Sequence, residues 1–314
     1  MESVRNERSV YLNGAFVPES RALLSFRDSG FVYGDAVFDT ARTFDGRLFR
    51  LKEHVDRLFD SLAYCRIAID LDRQDIIDAT EELVRRNRPL LAPGEDYWVS
   101  QRISRGVMQL DGEPPIQDGP TVLIECTPLP LRARAAMFRD GIEAVIAPLK
   151  RIPPEALSPN AKINNYMNAM LAQREVTAVR PGAWALQLDM NGNLAEGIGC
   201  NVFFVRNGKV QTPRTDYILP GVTRGAVIDL CRNNGIPVEE RDIPLHLATT
   251  ASESFFTSTS LCVCPVRSLN GRPYLGSAGP VTKRIMGLFA DLVGMDYAAQ
   301  YLSFLRDGPT RTGF

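Results

Sequence analysis

The chain has 314 residues, with 36 lysines and arginines against 37 aspartates and glutamates and a formal charge of −1. This near-zero net charge argues against a nucleic-acid-binding protein, which usually carries an excess of basic residues. No apolar run reaches about 18 residues, and the first ten residues lack the apolar stretch of a signal peptide. We therefore expect a cytoplasmic protein with no membrane partner, and the length favours two domains.

The contents of histidine, lysine and cysteine narrow the chemistry further. With 2 histidines, a metal site built from several histidines is nearly excluded, and no metal is expected. Lysine is rare, at 5 residues against 31 arginines, so a covalently reacting lysine has few candidates. The 6 cysteines are scattered without a C-x-x-C pair, which favours buried free thiols.

The pattern of the first 127 residues predicts an α+β domain. Asn13-Gly14 between apolar residues indicates a β-hairpin. Apolar residues at helical spacing predict a helix over 51–64, and a second helix is expected over 73–87. Strands are predicted at 36–43, 97–104 and 120–127.

Residues 128–136 contain two prolines and little periodicity, and they are predicted to be the linker to a second domain. That domain, 137–314, is predicted as α/β because strands and helices alternate along it. Its tail at 306–314 is expected to fray. Its helices are predicted at 163–179, 222–234 and 279–293, and its strands at 142–147, 184–189, 201–205, 209–211, 237–240 and 254–258.

Lys162 is the first candidate for chemistry. It lies in the segment SPNAKINNYMNAM, beside a predicted apolar helix face that includes Tyr166 and Met170. A lysine next to such a buried surface can have a lowered pKa and act as an amine nucleophile. The alternative is a lysine at a helix start with its ammonium in water.

Glu196 is the second candidate, in the segment NLAEGIGCNVFFV. It precedes Gly197 and Gly199, whose lack of side chains lets the backbone approach a flat or bulky group. An ordinary turn glutamate is the alternative. The two glycines do not form a dinucleotide-binding loop, because no third glycine opens a helix after them.

Two segments and one arginine are candidates for binding an anion. Val222-Thr223 lie at a predicted helix start, where free N–H groups and the helix dipole favour negative charge. Helix capping alone is the alternative. Ser258-Thr259 end a predicted strand with hydroxyl groups that would complete the same site, whereas Arg57 is either a further anion ligand or an ordinary surface arginine.

In chain order these residues form a set that resembles the class IV aminotransferases, the fold-type-IV enzymes that use pyridoxal 5′-phosphate. The resemblance extends from residue 11 to residue 285, and it rests on FVYGDAVFDTAR, FRLKEHVDRLFDS, AKINNYMNAM, LAEGIGCNVFFV, LPGVTR, PVRSLNG and GPVTKRI. It implies a two-domain fold like that of D-amino-acid aminotransferase, a homodimer or higher homo-oligomer, and pyridoxal 5′-phosphate as cofactor.

The resemblance also implies a role for each candidate. Lys162 matches the lysine that forms the Schiff base and moves a proton between the substrate Cα and the cofactor C4′. Glu196 matches the carboxylate that pairs with the pyridine nitrogen. Tyr166, expected one helical turn after Lys162, matches the tyrosine that binds the cofactor's phenolic oxygen. The phosphate-binding positions are matched by Arg57, Val222, Thr223, Ser258 and Thr259.

The implied reaction is a ping-pong transamination, in which an amino donor gives its amine to the cofactor and a 2-keto acid accepts it. The substrate carboxylate requires a cation, for which Arg102 and Arg42 are the candidates. A structural pairing of Arg102 across the sheet is the alternative. The resemblance implies a substrate side that includes Tyr33, Phe38, Thr40, Arg42 and Arg102.

The subfamily features are mixed. Arg102 and GPVTKRI resemble branched-chain aminotransferases, whereas Thr40 resembles aminodeoxychorismate lyases and RIPPEALSP resembles (R)-amine transaminases. A preference for branched-chain L-amino acids is favoured. The alternatives are an (R)-amine or D-amino-acid transaminase, an aminodeoxychorismate lyase, and a relative that binds the cofactor without catalysis.

Overall fold

The computed structural model describes residues 7–305, which divide into two compact units. Unit 1 comprises the residues up to Leu129 together with Ala161–Asn165. Unit 2 comprises Pro130–Asn160 and the residues from Tyr166 onward. The tail expected to fray, 306–314, lies outside the described residues. Within 7–305, no helix is long and apolar enough to cross a membrane.

Unit 1 is an antiparallel sheet with helices packed on it. The strand order is β2-β1-β6-β5-β3-β4. The predicted hairpin at Asn13-Gly14 is confirmed as the β1–β2 turn, and both predicted long helices are present. The elements are β1 (Ser9–Leu12), β2 (Ala15–Pro18), α1 (Ser29–Tyr33), β3 (Ala36–Phe44), β4 (Arg47–Leu48), α2 (Leu51–Cys65), α3 (Arg73–Asn87), β5 (Tyr97–Ser104) and β6 (Thr121–Pro128).

The two faces of this sheet differ in burial because side chains alternate along each strand. The odd-numbered residues of β3, among them Val37 and Asp39, are fully buried, and α2 packs against this strand. Phe38 and Thr40 point the other way and are partly exposed. They share this side with their β5 partners, and the four residues together are called the open face: Phe38, Thr40, Ser100 and Arg102.

Unit 2 is built on a sheet of nine strands, in the order β12-β11-β10-β13-β14-β7-β8-β9, with β15 paired to β14. Most neighbours are antiparallel, but β12 runs parallel to β11, and β7 runs parallel to both β14 and β8. The strands are β7 (Ile142–Ile146), β8 (Trp184–Leu188), β9 (Leu194–Gly197), β10 (Asn201–Arg206), β11 (Lys209–Thr212), β12 (Val238–Glu240), β13 (Glu253–Ser258), β14 (Cys262–Leu269) and β15 (Arg272–Pro273).

The helices of unit 2 include one that replaces the expected linker. Residues 128–136 were predicted to be irregular, but a helix begins at Leu131. Pro128 ends β6 and Pro130 is the N-cap residue, so neither proline lies inside the helix, and apolar residues within the helix are buried. The helices are α4 (Leu131–Asp140), α5 (Met167–Val179), α6 (Val222–Asn233), α7 (Leu245–Thr250), α8 (Pro280–Val293) and α9 (Tyr297–Ser303).

The helix predicted over 163–179 begins only at Met167. The backbone of 162–164 instead bonds to β3: Ile163 forms a β-bridge with Val37, and the N–H of Phe38 donates to the carbonyl of Lys162 at 2.9 Å. The edge of β3 offers backbone groups that a helical segment would be unable to reach. Pairing with this edge therefore prevails over the helical pattern of the local sequence.

Candidate active site

Lys162 is anchored in unit 1 through its backbone on both sides. Its carbonyl accepts the N–H of Phe38, and its own N–H donates to Oγ of Ser61 in α2, each at 2.9 Å. Its side chain is partly buried, and Nζ lies 4.6 Å from the centre of the Phe38 ring. The guanidinium carbon of Arg102 lies 5.2 Å from the centre of the same ring. The open face thus holds an aromatic ring and a guanidinium beside the Lys162 amine.

Arg57 lies in a buried charged cluster between α2 and β3. Its Nε and one Nη donate to the two carboxylate oxygens of Asp39, at 2.8 and 2.9 Å. Nδ1 of His54 lies 2.6 Å from the same carboxylate, which is fully buried. Asp39 therefore fixes the plane of the Arg57 guanidinium, and the interpretation of Arg57 as an ordinary surface residue is wrong.

The protonation of this cluster follows from burial and charge. Burial alone would raise the pKa of Asp39, but Arg57 and His54 hold it well below its usual value. Burial lowers the pKa of His54 and outweighs the opposing effect of Asp39. His54 is therefore neutral near pH 7, and its Nδ1–H donates to Asp39.

The two arginine candidates for the substrate carboxylate have different surroundings. Arg42 is buried, with its guanidinium 4.0 Å from the centre of the Phe44 ring and 3.9 Å from the carboxylate of Asp96. The side chain of Arg102 is 42% exposed and lies 3.7 Å from Glu125 in the neighbouring strand. Arg102 therefore does pair across the sheet, but it keeps access to solvent that Arg42 lacks.

Two further positions expected on the substrate side lie in unit 1. Oγ1 of Thr40 is 3.0 Å from Oγ of Ser100, so these hydroxyls form one polar patch on the open face. Tyr33 is the last residue of α1 and is 68% exposed.

Glu196 lies in β9 of unit 2 and is buried. One carboxylate oxygen accepts a hydrogen bond from Nε of Arg151 at 3.0 Å. The other accepts hydrogen bonds from the backbone N–H of Leu219 at 3.1 Å and from Nδ2 of Asn201 at 3.3 Å. Charge-assisted donors of this kind favour the ionised carboxylate, so Glu196 is a fixed buried negative charge rather than an ordinary turn glutamate.

The start of α6 is suited to an anion. Gly221 is the N-cap residue, and no side chain in the described part of the protein caps this helix. A Cβ on Gly221 would lie 2.2 Å from Oδ1 of Asn201, so any larger residue there would displace that side chain. Val222 and Thr223 occupy the first helical turn, where N–H groups lack partners within the helix.

Asn201, which lies beside Gly221, also lies beside the end of β13. This residue pairs with Thr257 in the sheet, and Ser258 and Thr259 follow directly. Oγ1 of Thr257 is buried and, among residues 7–305, has no hydrogen-bond partner. Unit 2 thus collects Glu196, an uncapped helix start and a group of hydroxyls around one asparagine.

Tyr166 is the N-cap residue of α5 and belongs to unit 2. The expectation that it follows Lys162 by one helical turn is wrong, because Ile163 and Asn164 pair with β3 and form no helix.

Several residues at these positions were not predicted from the sequence. Asp39, Ser61, Arg151 and Asn201 all contact a predicted site residue. For Ser61 a signal did exist, because it follows Arg57 by four residues and therefore lies on the same helix face. Asp39 and Arg151 reach their partners from distant parts of the chain, and Asn201 reaches Glu196 across the turn between β9 and β10. None of the three follows from a helical or strand pattern in the sequence.

These residues fit pyridoxal 5′-phosphate. The buried charge of Glu196 suits a protonated ring nitrogen. The helix start at Gly221 and the hydroxyl groups at the end of β13 suit a phosphate. In unit 1, Lys162 supplies a primary amine.

Comparison with known proteins agrees with this chemistry. A family model described as amino-transferase class IV matches residues 36–269. A putative branched-chain-amino-acid aminotransferase of Methanocaldococcus jannaschii is 36% identical over 285 residues, covering 90% of this chain and 96% of its own.

Solved structures show the same likeness. The branched-chain amino acid aminotransferase of Escherichia coli superposes with a TM-score of 0.82 at 29% identity, covering 96% of this chain and 97% of its own. The enzyme of Thermobaculum terrenum, solved in its pyridoxal-phosphate form, gives 0.80 at 28% identity, covering 96% and 98%. These matches confirm the predicted fold type IV and the pyridoxal phosphate cofactor. The chain belongs to the class IV aminotransferases and is a pyridoxal-phosphate-dependent transaminase.

Proposed function

We propose that this aminotransferase moves the amino group of branched-chain L-amino acids to 2-keto acids by a ping-pong mechanism. The observation that carries the proposal is the open face, where the Lys162 amine and the Arg102 guanidinium flank the Phe38 ring. The names of the relatives in M. jannaschii and E. coli support the same substrate class.

The open face has the groups that a branched aliphatic amino acid requires. The Phe38 ring offers an apolar surface beside the amine. Burying a branched aliphatic side chain against such a surface makes binding more favourable. The partly exposed Arg102 offers a cation for the substrate carboxylate. We favour Arg102 over Arg42 for this role, because Arg42 is buried beside Asp96.

Lys162 is proposed as the catalytic residue. Pyridoxal phosphate supplies an electron sink that stabilises negative charge at the substrate Cα. Lys162 binds the cofactor through its amine and moves the proton at the substrate Cα. Glu196 holds the proton on the ring nitrogen of the cofactor, and Tyr166 orients the ring by binding the cofactor's phenolic oxygen. Thr40 and Tyr33 line the substrate side of the site.

Arg57 is one proposed phosphate ligand. Arg57 supplies a guanidinium whose orientation is set by Asp39. The helix start and the strand end of unit 2 supply N–H and hydroxyl donors, from Val222, Thr223, Ser258 and Thr259.

A homodimer in the cytoplasm completes the proposal. The segment 23–33 exposes several large apolar side chains, with Leu23 at 79%, Phe26 at 73% and Phe31 at 79%. A monomer rarely leaves so many neighbouring apolar groups in water, so a second copy of this chain is the proposed cover. Tyr33 lies at the end of the same segment.

The test is an absorbance titration of the protein with bound cofactor. L-Leucine, D-alanine and (R)-1-phenylethylamine are added separately, and the visible band of the cofactor is followed. We expect L-leucine alone to remove the band, and a 2-keto acid to restore it. In Arg102→Leu, the response to L-leucine weakens, because the partner of the substrate carboxylate is lost.

The other outcomes identify other functions. Loss of the band with D-alanine or the aromatic amine contradicts the proposal in favour of a D-amino-acid or (R)-amine transaminase. A band that responds to none of the three favours an aminodeoxychorismate lyase or a non-catalytic relative. An undiminished response of Arg102→Leu to L-leucine overturns the assignment of Arg102.

A further inference from the structure

The backbone around Lys162 lies outside any helix, so helical hydrogen bonds do not fix its position. Residues 161–165 are the short stretch of chain that joins unit 1 from outside its main sequence. Two of their bonds are to the backbone of β3, namely Phe38 N–H to Lys162 carbonyl and Asn164 N–H to Ala36 carbonyl, both at 2.9 Å. Neither bond fixes the N–H side of Lys162.

Ser61 supplies that missing bond. Its side chain is fully buried in α2, and its Oγ accepts the Lys162 N–H at 2.9 Å. The same hydroxyl donates to the carbonyl of Arg57, also at 2.9 Å. Because its one proton is committed to that carbonyl, the hydroxyl presents a lone pair to Lys162, and both roles of the group are used.

The link joins two proposed site residues. The link consists of two hydrogen bonds, one between the Arg57 carbonyl and the Ser61 hydroxyl and one between that hydroxyl and the Lys162 N–H. Arg57 is held at its other end by Asp39 in β3, the strand that also binds the Lys162 carbonyl through Phe38. The α2 helix and β3 therefore hold Lys162 between them.

We infer that Ser61 is a positioning residue for Lys162: its hydroxyl fixes the backbone from which the catalytic amine extends. A lysine amine sits on a flexible stem of four carbons, so its position depends first on the position of its Cα. A displacement of about 1 Å at a reacting group costs about 100-fold in rate. The inference rests on the proposed role of Lys162.

The experiment compares Ser61→Ala with the wild-type protein, both carrying bound cofactor. Hydrogen exchange is measured at the Lys162 amide, and kcat and KM are measured with the amine that removes the visible band. We expect faster exchange at that amide and a fall in kcat of about 10- to 100-fold, with little change in KM. Ser61→Thr, which keeps a hydroxyl able to bond the same carbonyl, is expected to recover part of both effects.

The matched control is Ser254→Ala in β13. Ser254 is also buried, and its hydroxyl donates to a backbone carbonyl, that of Phe203, at 2.9 Å. Its removal is expected to leave exchange at Lys162 and kcat unchanged. The exchange measurement needs no substrate, so a failure of the proposed substrate class leaves this test intact.

Two results overturn the inference. The first is unchanged exchange at the Lys162 amide in Ser61→Ala. The second is exchange that rises equally throughout unit 1 with a matching loss of stability, since Ser61 then supports the fold alone.

Discussion

At the scale of single residues, the buried cluster of Asp39, His54 and Arg57 links the stability of the protein to pH. Burial keeps His54 neutral in the folded state, with its pKa below the ordinary value, whereas in the unfolded chain its pKa is about 6.5. As pH falls through about 6.5, the unfolded chain gains a proton that the folded protein does not. The free energy of unfolding therefore decreases over that range.

Asp39 acts in the same direction at lower pH. Its pKa in the folded protein is held below the ordinary value, because the Arg57 and His54 interactions outweigh burial. Its contribution is present above the unfolded pKa of about 3.9 and is lost as pH falls through the folded pKa. Between pH 5 and 7, the cluster's contribution thus comes from His54.

The variant His54→Gln tests this dependence. The urea midpoint of the wild-type protein is expected to fall between pH 7 and pH 5, and that of His54→Gln to fall less. The other histidine, His246, is exposed, and His246→Gln should follow the wild-type curve. If His54→Gln keeps the full wild-type slope, the acid sensitivity comes from other groups.

At the scale of elements, the start of α6 depends on one glycine. In Gly221→Ala the new Cβ would lie 2.2 Å from Oδ1 of Asn201, so that side chain must shift. Its bonds to Glu196 and to the carbonyl of Leu219 are then weakened. A buried polar group that loses its partner costs about 1–3 kcal/mol, which corresponds to about 5- to 150-fold in cofactor affinity.

Gly225, in the same helix, provides the matched control. A Cβ there meets nothing within 4 Å in the described part of the chain. Gly225→Ala is expected to raise the stability by about 0.5–1 kcal/mol, because alanine favours a helix interior, and to leave cofactor binding unchanged. Absorbance titration with the cofactor and urea unfolding measure both effects. Equal affinity in the two variants would contradict the proposed role of this helix start.

At the scale of the whole molecule, the apolar segment 23–33 predicts association. Phe31→Glu places a charge in the proposed contact, where burying it without a partner is unfavourable. We expect light scattering to show a dimer for the wild-type chain and a monomer for Phe31→Glu. Met190→Glu changes an apolar residue, 53% exposed, in the turn between β8 and β9 and should remain dimeric. A wild-type monomer, or a dimeric Phe31→Glu, would refute the contact.

The sequence by itself determined the elements that carry strong local patterns. The hairpin at Asn13-Gly14 follows from its turn residues, and α2 follows from apolar residues at helical spacing. The helix α3 begins at its reciprocal cap of Asp72 and Asp75. The ordered set of motifs likewise identified the family and its cofactor, because a short list of residue types in a fixed order is specific even where each alone is weak.

Only the tertiary structure decided which features prevail where local patterns conflict. The segment after Lys162 has a helical pattern, but its first residues pair with the edge of β3 instead of forming a helix. β14 was not predicted. Its Pro265 lacks the N–H group that a sheet requires, yet the strand lies between two others of unit 2. Likewise the partners of the site residues, Asp39 for Arg57 and Ser61 for Lys162, are set by packing. Hydrogen bonds between residues distant in sequence depend on how elements pack, and local sequence carries no record of that.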